Sequence, residues 1–372
     1  MEKKNGEKNM EIEEDTQKED QKNEKANLSH KKEEVNSINT SKSNFGQQTS
    51  NFESNNYSIE LNSSLATNDS NNSKSNETIN SIKTSFENFF NNKPKFPPIF
   101  KINISKNSYD YAYNLEYFDE IYTNLLLDEK NSNLKIDKDY MKKQNEINAQ
   151  MRAILVDWII EVHDIFRFKR KTLFQTIFII DLFLSKKIIQ KHRFQLLGVA
   201  SLLIACKENE VFYPQVQEYV NITNNAYTKR ELLNMEFYII QTLNFEVFKS
   251  TAEEFYDILS KAFNFQRIQH FLGEYFLVSS LIDYKILKYK ASVVAASCAY
   301  IVMKYFKIDG YKDLYSTRIV LDDFPQKAIK DCARDLCFLV KSLSNSNFRA
   351  AINKYSSPYF YNVSELCNDI PK

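Results

Sequence analysis

The chain has 372 residues, room for more than one domain, and its 49 Lys and Arg nearly balance 48 Asp and Glu, which argues against nucleic acid or membrane as partner. Its five glycines (Gly6, Gly46, Gly198, Gly273, Gly310) are too scattered for a P-loop or a dinucleotide-binding fingerprint, and four dispersed histidines offer no metal cluster, so neither cofactor nor metal is expected. Five cysteines without a CxxC read as buried reduced thiols, and no stretch approaches the roughly 18 apolar residues of a membrane span.

Residues 1–108 are rich in Lys, Glu, Asn and Ser without apolar periodicity, and such a tail is expected to be disordered because it cannot offset its ordering entropy. Lys93 to Pro98 reads as a short stiff linker at most. Residues 109–140 hold a linker and a short helix, Tyr117 to Leu127, standing apart from the first set of helices, 141–248.

From Ile147 to Phe166 one helix is predicted: Met151, Ile154, Leu155, Trp158, Ile159 and Val162 recur at i, i+3, i+4, i+7, i+8 and i+11. The stripe is too wide for a coiled-coil seam and suits a helix with several neighbours. Arg152, Asp157 and Glu161 interrupt it, and Trp158 is the chain's single tryptophan. Thr172–Leu184 is a second helix, and Phe194–Glu208, apolar nearly all round, a central third. Pro214 suits the first turn of a short fourth running toward Val220. Thr228 and Glu231 form a capping box opening a fifth, to Leu243.

Another capping box, Thr251 with Glu254, starts a second set: Gln269–Leu281, Ser292–Phe306, Pro325–Leu343 and a closing Tyr355–Leu366. Val293–Lys304 echoes Leu196–Lys207, each a small-residue-rich buried helix ending in Lys, which points to an internal repeat. The domain boundaries fall accordingly at 141–248, 249–350 and a C-terminal segment 351–372.

No nucleophile–base–acid set can be assembled, so catalysis is not expected. The informative charges are Lys207, ending the most apolar run, and Glu236, between Met235 and Phe237. A charge so placed is costly unless paired. Either the two bridge two helices, or they face a partner. Arg167 to Lys171 is basic and reads as a solvated loop.

The string MRAILVDWIIEVH from Met151, preceded by Tyr140 to Asn148, resembles the opening of the cyclin box of mitotic cyclins, B-type most closely, and the resemblance extends over roughly 117–366. It implies an all-α chain of two tandem five-helix cyclin folds with an N-terminal helix. It further implies a non-catalytic regulatory subunit, in nucleus and cytoplasm, that binds and activates a cyclin-dependent protein kinase in mitotic control and helps select substrates. By the same resemblance Lys207 and Glu236 hydrogen-bond the kinase backbone, and Ile204, Ile240, Val247 and the position of Glu208 surround an isoleucine of its mobile helix. Met151, Ile154, Leu155, Trp158, Glu161 and Gln195 would form a groove for Arg-x-Leu peptides of substrates or inhibitors.

The chain departs from the family in three places: Glu208 replaces an aromatic, Leu182 follows Asp181 where Arg is usual, and Asn224 stands for an Asp. The Lys207-Glu208-Asn209 triplet spells a degradation motif but falls at a helix end and is read as coincidence, while a degenerate signal is expected near Leu28, Leu61 or Leu65. The alternatives are a cyclin of a transcription-associated kinase and a double-cyclin-fold transcription scaffold. The scaffold wants a basic face and often a zinc ribbon, whereas no cysteine precedes Cys206 and no arginine precedes Arg152.

Overall fold

In this computed structural model, residues 118–131, 134–316 and 318–367 are described, and wherever these are regular they are helical, with no strand among them. The polar segment 1–108, its Lys93–Pro98 stretch, the leucines named for a degradation signal, and Tyr117 lie outside them.

α1 (Phe118–Asn131) is anchored by Tyr122, which is fully buried, meets Phe255 edge-on at 5.5 Å and donates its hydroxyl to the Ile319 carbonyl at 2.9 Å. Farther along, Asp128 accepts the Ser250 N–H at 2.9 Å. Glu129 accepts both the N–H and the hydroxyl of Ser292, at 2.9 and 2.6 Å, and so caps the helix beginning at Ala291. This helix is therefore built into the second lobe.

Five helices make the first lobe: α2 (Ala149–Phe166), α3 (Arg170–Lys186), α4 (Phe194–Asn209), α5 (Val216–Asn221) and α6 (Lys229–Thr242). Asn148 opens α2, its side chain accepting the Met151 N–H at 3.0 Å. α4 is buried on nearly every side, as its composition requires. Gly198 lets α2 approach, since a Cβ there would lie 2.8 Å from a Leu155 methyl and 3.3 Å from one of Ile159. The Thr228–Glu231 box forms, with reciprocal bonds of 3.2 and 2.8 Å. Pro214 falls before the cap residue Gln215, not inside the first turn of α5.

The second lobe repeats the plan with α7 (Ala252–Ala262), α8 (Arg267–Ser280), a central α9 (Ala291–Tyr305) and α10 (Pro325–Ser344). α9 packs against α7, α8 and α10 as α4 packs against α3 and α6. In place of α5 stands a 3-10 turn, Tyr311–Tyr315, so the second unit lacks the fourth α-helix of the first. α11 (Ala350–Tyr355) and α12 (Val363–Leu366) close the chain, α11 against α2 and both against α8.

Two buried charge clusters join the lobes. Arg152 is 1% exposed; it binds Asp181 through Nε and Nη2, both at 2.7 Å, and donates Nη1 to the Leu281 carbonyl at 2.8 Å. Tyr140 adds its hydroxyl to Asp181 at 2.7 Å. Burial pulls the guanidinium pKa down, but Asp181 and Tyr140 together more than offset it and the pKa rises. Asp157, also buried, accepts the Ala350 N–H at 3.0 Å at the start of α11. These two interruptions of an apolar helix are thus the ties of the first lobe to the second.

The second cluster corrects the reading of Arg167 to Lys171 as a solvated loop. Arg170 reaches Glu274 at 3.0 Å, Asp257 at 3.4 Å and Glu253 at 3.5 Å, all on the second lobe, and Lys171 meets Glu254 at 3.1 Å. Lys169 donates to the Asn209 carbonyl at 2.7 Å, and Phe168 is buried, stacked on Phe166 at 5.3 Å. Arg167, Lys169 and Lys171 remain exposed, Arg167 as the left-handed cap of α2, while Phe168 and Arg170 turn inward. Burial pushes the Glu253 carboxyl up to about 7, with Arg170 pulling the other way.

The connection between lobes is pinned as well. The Val247 carbonyl accepts from Gln175, Lys249 donates to the Leu134 carbonyl at 3.3 Å, and Ser250 is held by Asp128.

Candidate partner-binding site

α6 is amphipathic, and its phase decides which side chains reach solvent. Leu232, Met235, Glu236 and Ile239 face inward, where α6 lies along α4. Phe237 and Tyr238 turn out instead, 61% and 39% exposed.

Glu236 is the one charge on the buried face, and Lys207 comes to it from the last turn of α4. Nζ and Oε1 are 2.5 Å apart, with the lysine side chain 39% exposed and the glutamate 11%. One contact leaves the ammonium two further donors and the carboxylate a second oxygen. A donor and an acceptor are thus held in fixed positions beside solvent.

Ile204 and Val247 are buried, Ile240 is half-buried, and Glu208 projects outward from the end of α4. Outward projection spares its carboxylate any desolvation in the free chain. Asn209 donates to the Ala205 carbonyl at 3.0 Å, so the Lys207–Asn209 triplet is part of a helix.

Exposed aromatic residues not singled out from the sequence occur in the segments that follow the two helices carrying this pair. Phe212 is 92% exposed, Phe245 74% and Phe248 40%. Phe245 also has φ of 62°, a left-handed conformation that is strained for a bulky residue. Phe212 and Phe245 lie in the loops that follow α4 and α6. Phe237 was legible, since two positions after buried Met235 it falls off the inward face; Phe212, Phe245 and Phe248 lie outside any periodic segment.

The six groove residues divide by depth. Leu155 is 3% exposed against Gly198, and Trp158 is 8% exposed, so both are core residues. Met151, Ile154 and Glu161 are half-buried on α2, and half-buried Gln195 lies one turn before Gly198 on α4. Among the described residues no cluster of His, Cys, Asp and Glu can hold a metal ion, and no helix is long and apolar enough to cross a membrane.

Two family models match, Cyclin, N-terminal domain over residues 120–248 and Cyclin, C-terminal domain over 250–369, abutting at the pinned connection. The chain is 33% identical over 252 residues to G2/mitotic-specific cyclin-B of Dictyostelium discoideum, covering 68% of this chain and 57% of that one. It is 33% identical over 265 residues to Cyclin-B2-1 of Arabidopsis thaliana, covering 71% and 60%. It therefore spans less than two thirds of the length of the curated relatives it matches. The X-ray structure of a viral cyclin from herpesvirus saimiri superposes with a TM-score of 0.53 at 19% identity, over 59% of this chain and 97% of that one, a likeness of fold. With the two lobes, the repeated central helix and both domain matches in place, the chain belongs to the cyclin family, and its relatives are B-type mitotic cyclins.

Proposed function

We propose that this chain is a non-catalytic regulatory subunit that binds and activates a cyclin-dependent protein kinase in mitotic control, in nucleus and cytoplasm. The observation that carries the reading is the Lys207–Glu236 pair, held at 2.5 Å with the lysine side chain 39% exposed. The pair joins α4 to α6, and in doing so it aims a donor and an acceptor at the backbone of a partner. Phe237, Phe245 and Phe248 supply apolar surface of the kind that marks protein interfaces. Activation then results from binding one arrangement of the kinase better than the other; tens-fold preference needs roughly 2–3 kcal/mol. The B-type relatives favour mitotic control over a transcription-associated kinase.

Lys207→Ala and Glu236→Ala are each expected to weaken kinase binding by about 2–4 kcal/mol while the helical circular dichroism is unchanged. Co-purification of kinase at parental yield with both variants would reduce the pair to a tie between helices.

The face of Met151, Ile154 and Glu161 is proposed as a second contact, for Arg-x-Leu segments of substrates or inhibitors, with Glu161 opposite the arginine. This rests on the kinase reading. Ile154→Ala combined with Glu161→Ala should slow phosphorylation of a substrate bearing Arg-x-Leu and leave a short peptide without it untouched. Equal rates for parent and variant on the Arg-x-Leu substrate would remove the groove from the proposal.

A further inference from the structure

The second lobe has a cavity that neither the lobe junction nor the surface around Lys207 uses. It opens between α9, the Tyr311–Tyr315 turn and the first turns of α10, and measures about 270 Å³. Three tyrosines, Tyr300, Tyr311 and Tyr315, and three lysines, Lys304, Lys312 and Lys330, form most of its wall. No carboxylate lines it, and among the described residues none of these lysines makes an ion pair.

The rings hold the ammonium groups without neutralising them. Lys304 Nζ lies 3.6 Å from the centre of the Tyr311 ring and Lys330 Nζ 5.7 Å from that of Tyr315. The rings also support one another, Tyr300 on Tyr311 at 5.9 Å and Tyr311 on Tyr315 at 6.2 Å, so the wall is preformed. The hydroxyl of Tyr315 is buried beside Tyr300, whose ring lies 6.1 Å away. The hydrogen bond and charge of Lys304, with Lys312 and Lys330 behind it, hold the Tyr311 hydroxyl below the usual phenol range. Gln326, also on the wall, stands in the first turn of α10, where Phe324 offers no side-chain cap. The positive end of a 20-residue helix thus adds to the three lysines.

We infer that this cavity binds the phosphoryl group of a phosphoserine or phosphothreonine in a polypeptide that also carries arginine or lysine near the modified residue. A doubly charged oxyanion with three acceptor oxygens matches clustered ammonium donors, and the tyrosine rings give the peptide apolar surface to lie on. The surroundings choose between polyanion and peptide. Asp309, Asp313, Asp322 and Asp323 lie close in the chain to the wall residues without lining the cavity, interspersed with Lys307, Arg318 and Lys327, so the surroundings carry both signs. A nucleic-acid strand would carry its next phosphates into these aspartates, whereas a flanking arginine would pair with them. The inference goes beyond kinase activation and does not depend on it, because binding is measured on this chain alone.

The test uses the full chain and fluorescence anisotropy of a labelled phosphoserine peptide with flanking arginines. Its unphosphorylated twin, inorganic phosphate and a single-stranded oligonucleotide are the comparison ligands. The phosphopeptide should bind at least about tenfold more tightly than its twin, and Lys304→Ala with Lys330→Ala should abolish that difference. Lys285→Ala, an exposed lysine outside the cavity, should change nothing. Equal affinity for the twin, indifference to the double substitution with the fold intact by circular dichroism, or tighter binding of the oligonucleotide each overturns the inference. Displacement by inorganic phosphate at concentrations as low as by unlabelled phosphopeptide would show a free-anion site and overturn it too.

Discussion

Arg152→Met lowers the free energy of unfolding by about 3–5 kcal/mol, the cost of stranding a buried charge. Methionine fills much of the volume, so the loss is electrostatic in origin. It leaves the Asp181 carboxylate, 2% exposed, with Tyr140 as its remaining side-chain partner among the described residues, and it leaves the Leu281 carbonyl without its donor. Adding Asp181→Leu should recover a good part of the loss, since a buried pair is worth far less against an apolar replacement than a lone charge costs. Urea unfolding of the parent, both single variants and the double variant measures this. A double variant as unstable as Arg152→Met would locate the damage at Leu281 and not at the carboxylate.

Arg170→Ala should be comparably destabilising near neutral pH and should show it through pH dependence. Three carboxylates of the second lobe, Glu253, Asp257 and Glu274, share this one guanidinium; Asp257 also meets Lys261 at 3.0 Å, and Glu274 accepts the Tyr355 hydroxyl at 2.6 Å. Glu253 at about 7 lies above its ordinary 4.5, so the folded state holds that proton more tightly than the unfolded state does. Its ionisation therefore costs stability as pH rises from 4.5 through about 7, and the penalty is absent below that window. Removing Arg170, which pulls Glu253 down, moves the upper edge of the window higher. The variant's deficit in thermal midpoint should be larger at pH 8 than at pH 5. A deficit independent of pH would mean that Arg170 contributes packing and hydrogen bonds but little charge compensation.

The elements legible in the sequence were those whose physics is local. The Thr228–Glu231 box needed only neighbouring residues, and α4 announced itself as central because its apolar residues leave no polar face, whereas the helix read from Ile147 starts at Ala149 behind the Asn148 cap. Lys207 and Glu236 were legible as a pair because each is a charge set in an apolar run, although the alternatives of tie and partner contact stayed open. What could not be read depended on partners distant in the chain. Nothing near Arg170 says that Glu274 waits on another lobe, so five consecutive basic and aromatic residues looked like a solvated loop. Arg152 and Asp157 looked like interruptions for the same reason. The turn at Tyr311–Tyr315 is too short for periodicity to separate a 3-10 turn from an α-helix. The three lysines around it are indistinguishable, one by one, from ordinary surface residues.

The stretch from Val247 to Ser250 has the position of an interdomain hinge but none of its freedom. Gln175 from one lobe, Leu134 and Asp128 from the segment ahead of both, each take one of its groups. Limited proteolysis ordinarily finds such a joint first, because a protease needs locally unfolded backbone. Here the scissile segment is released only when α1 and α3 let go as well. A protease, or a machine that pulls the chain from one terminus, therefore meets the two repeats as a single cooperative object, and what yields first yields both.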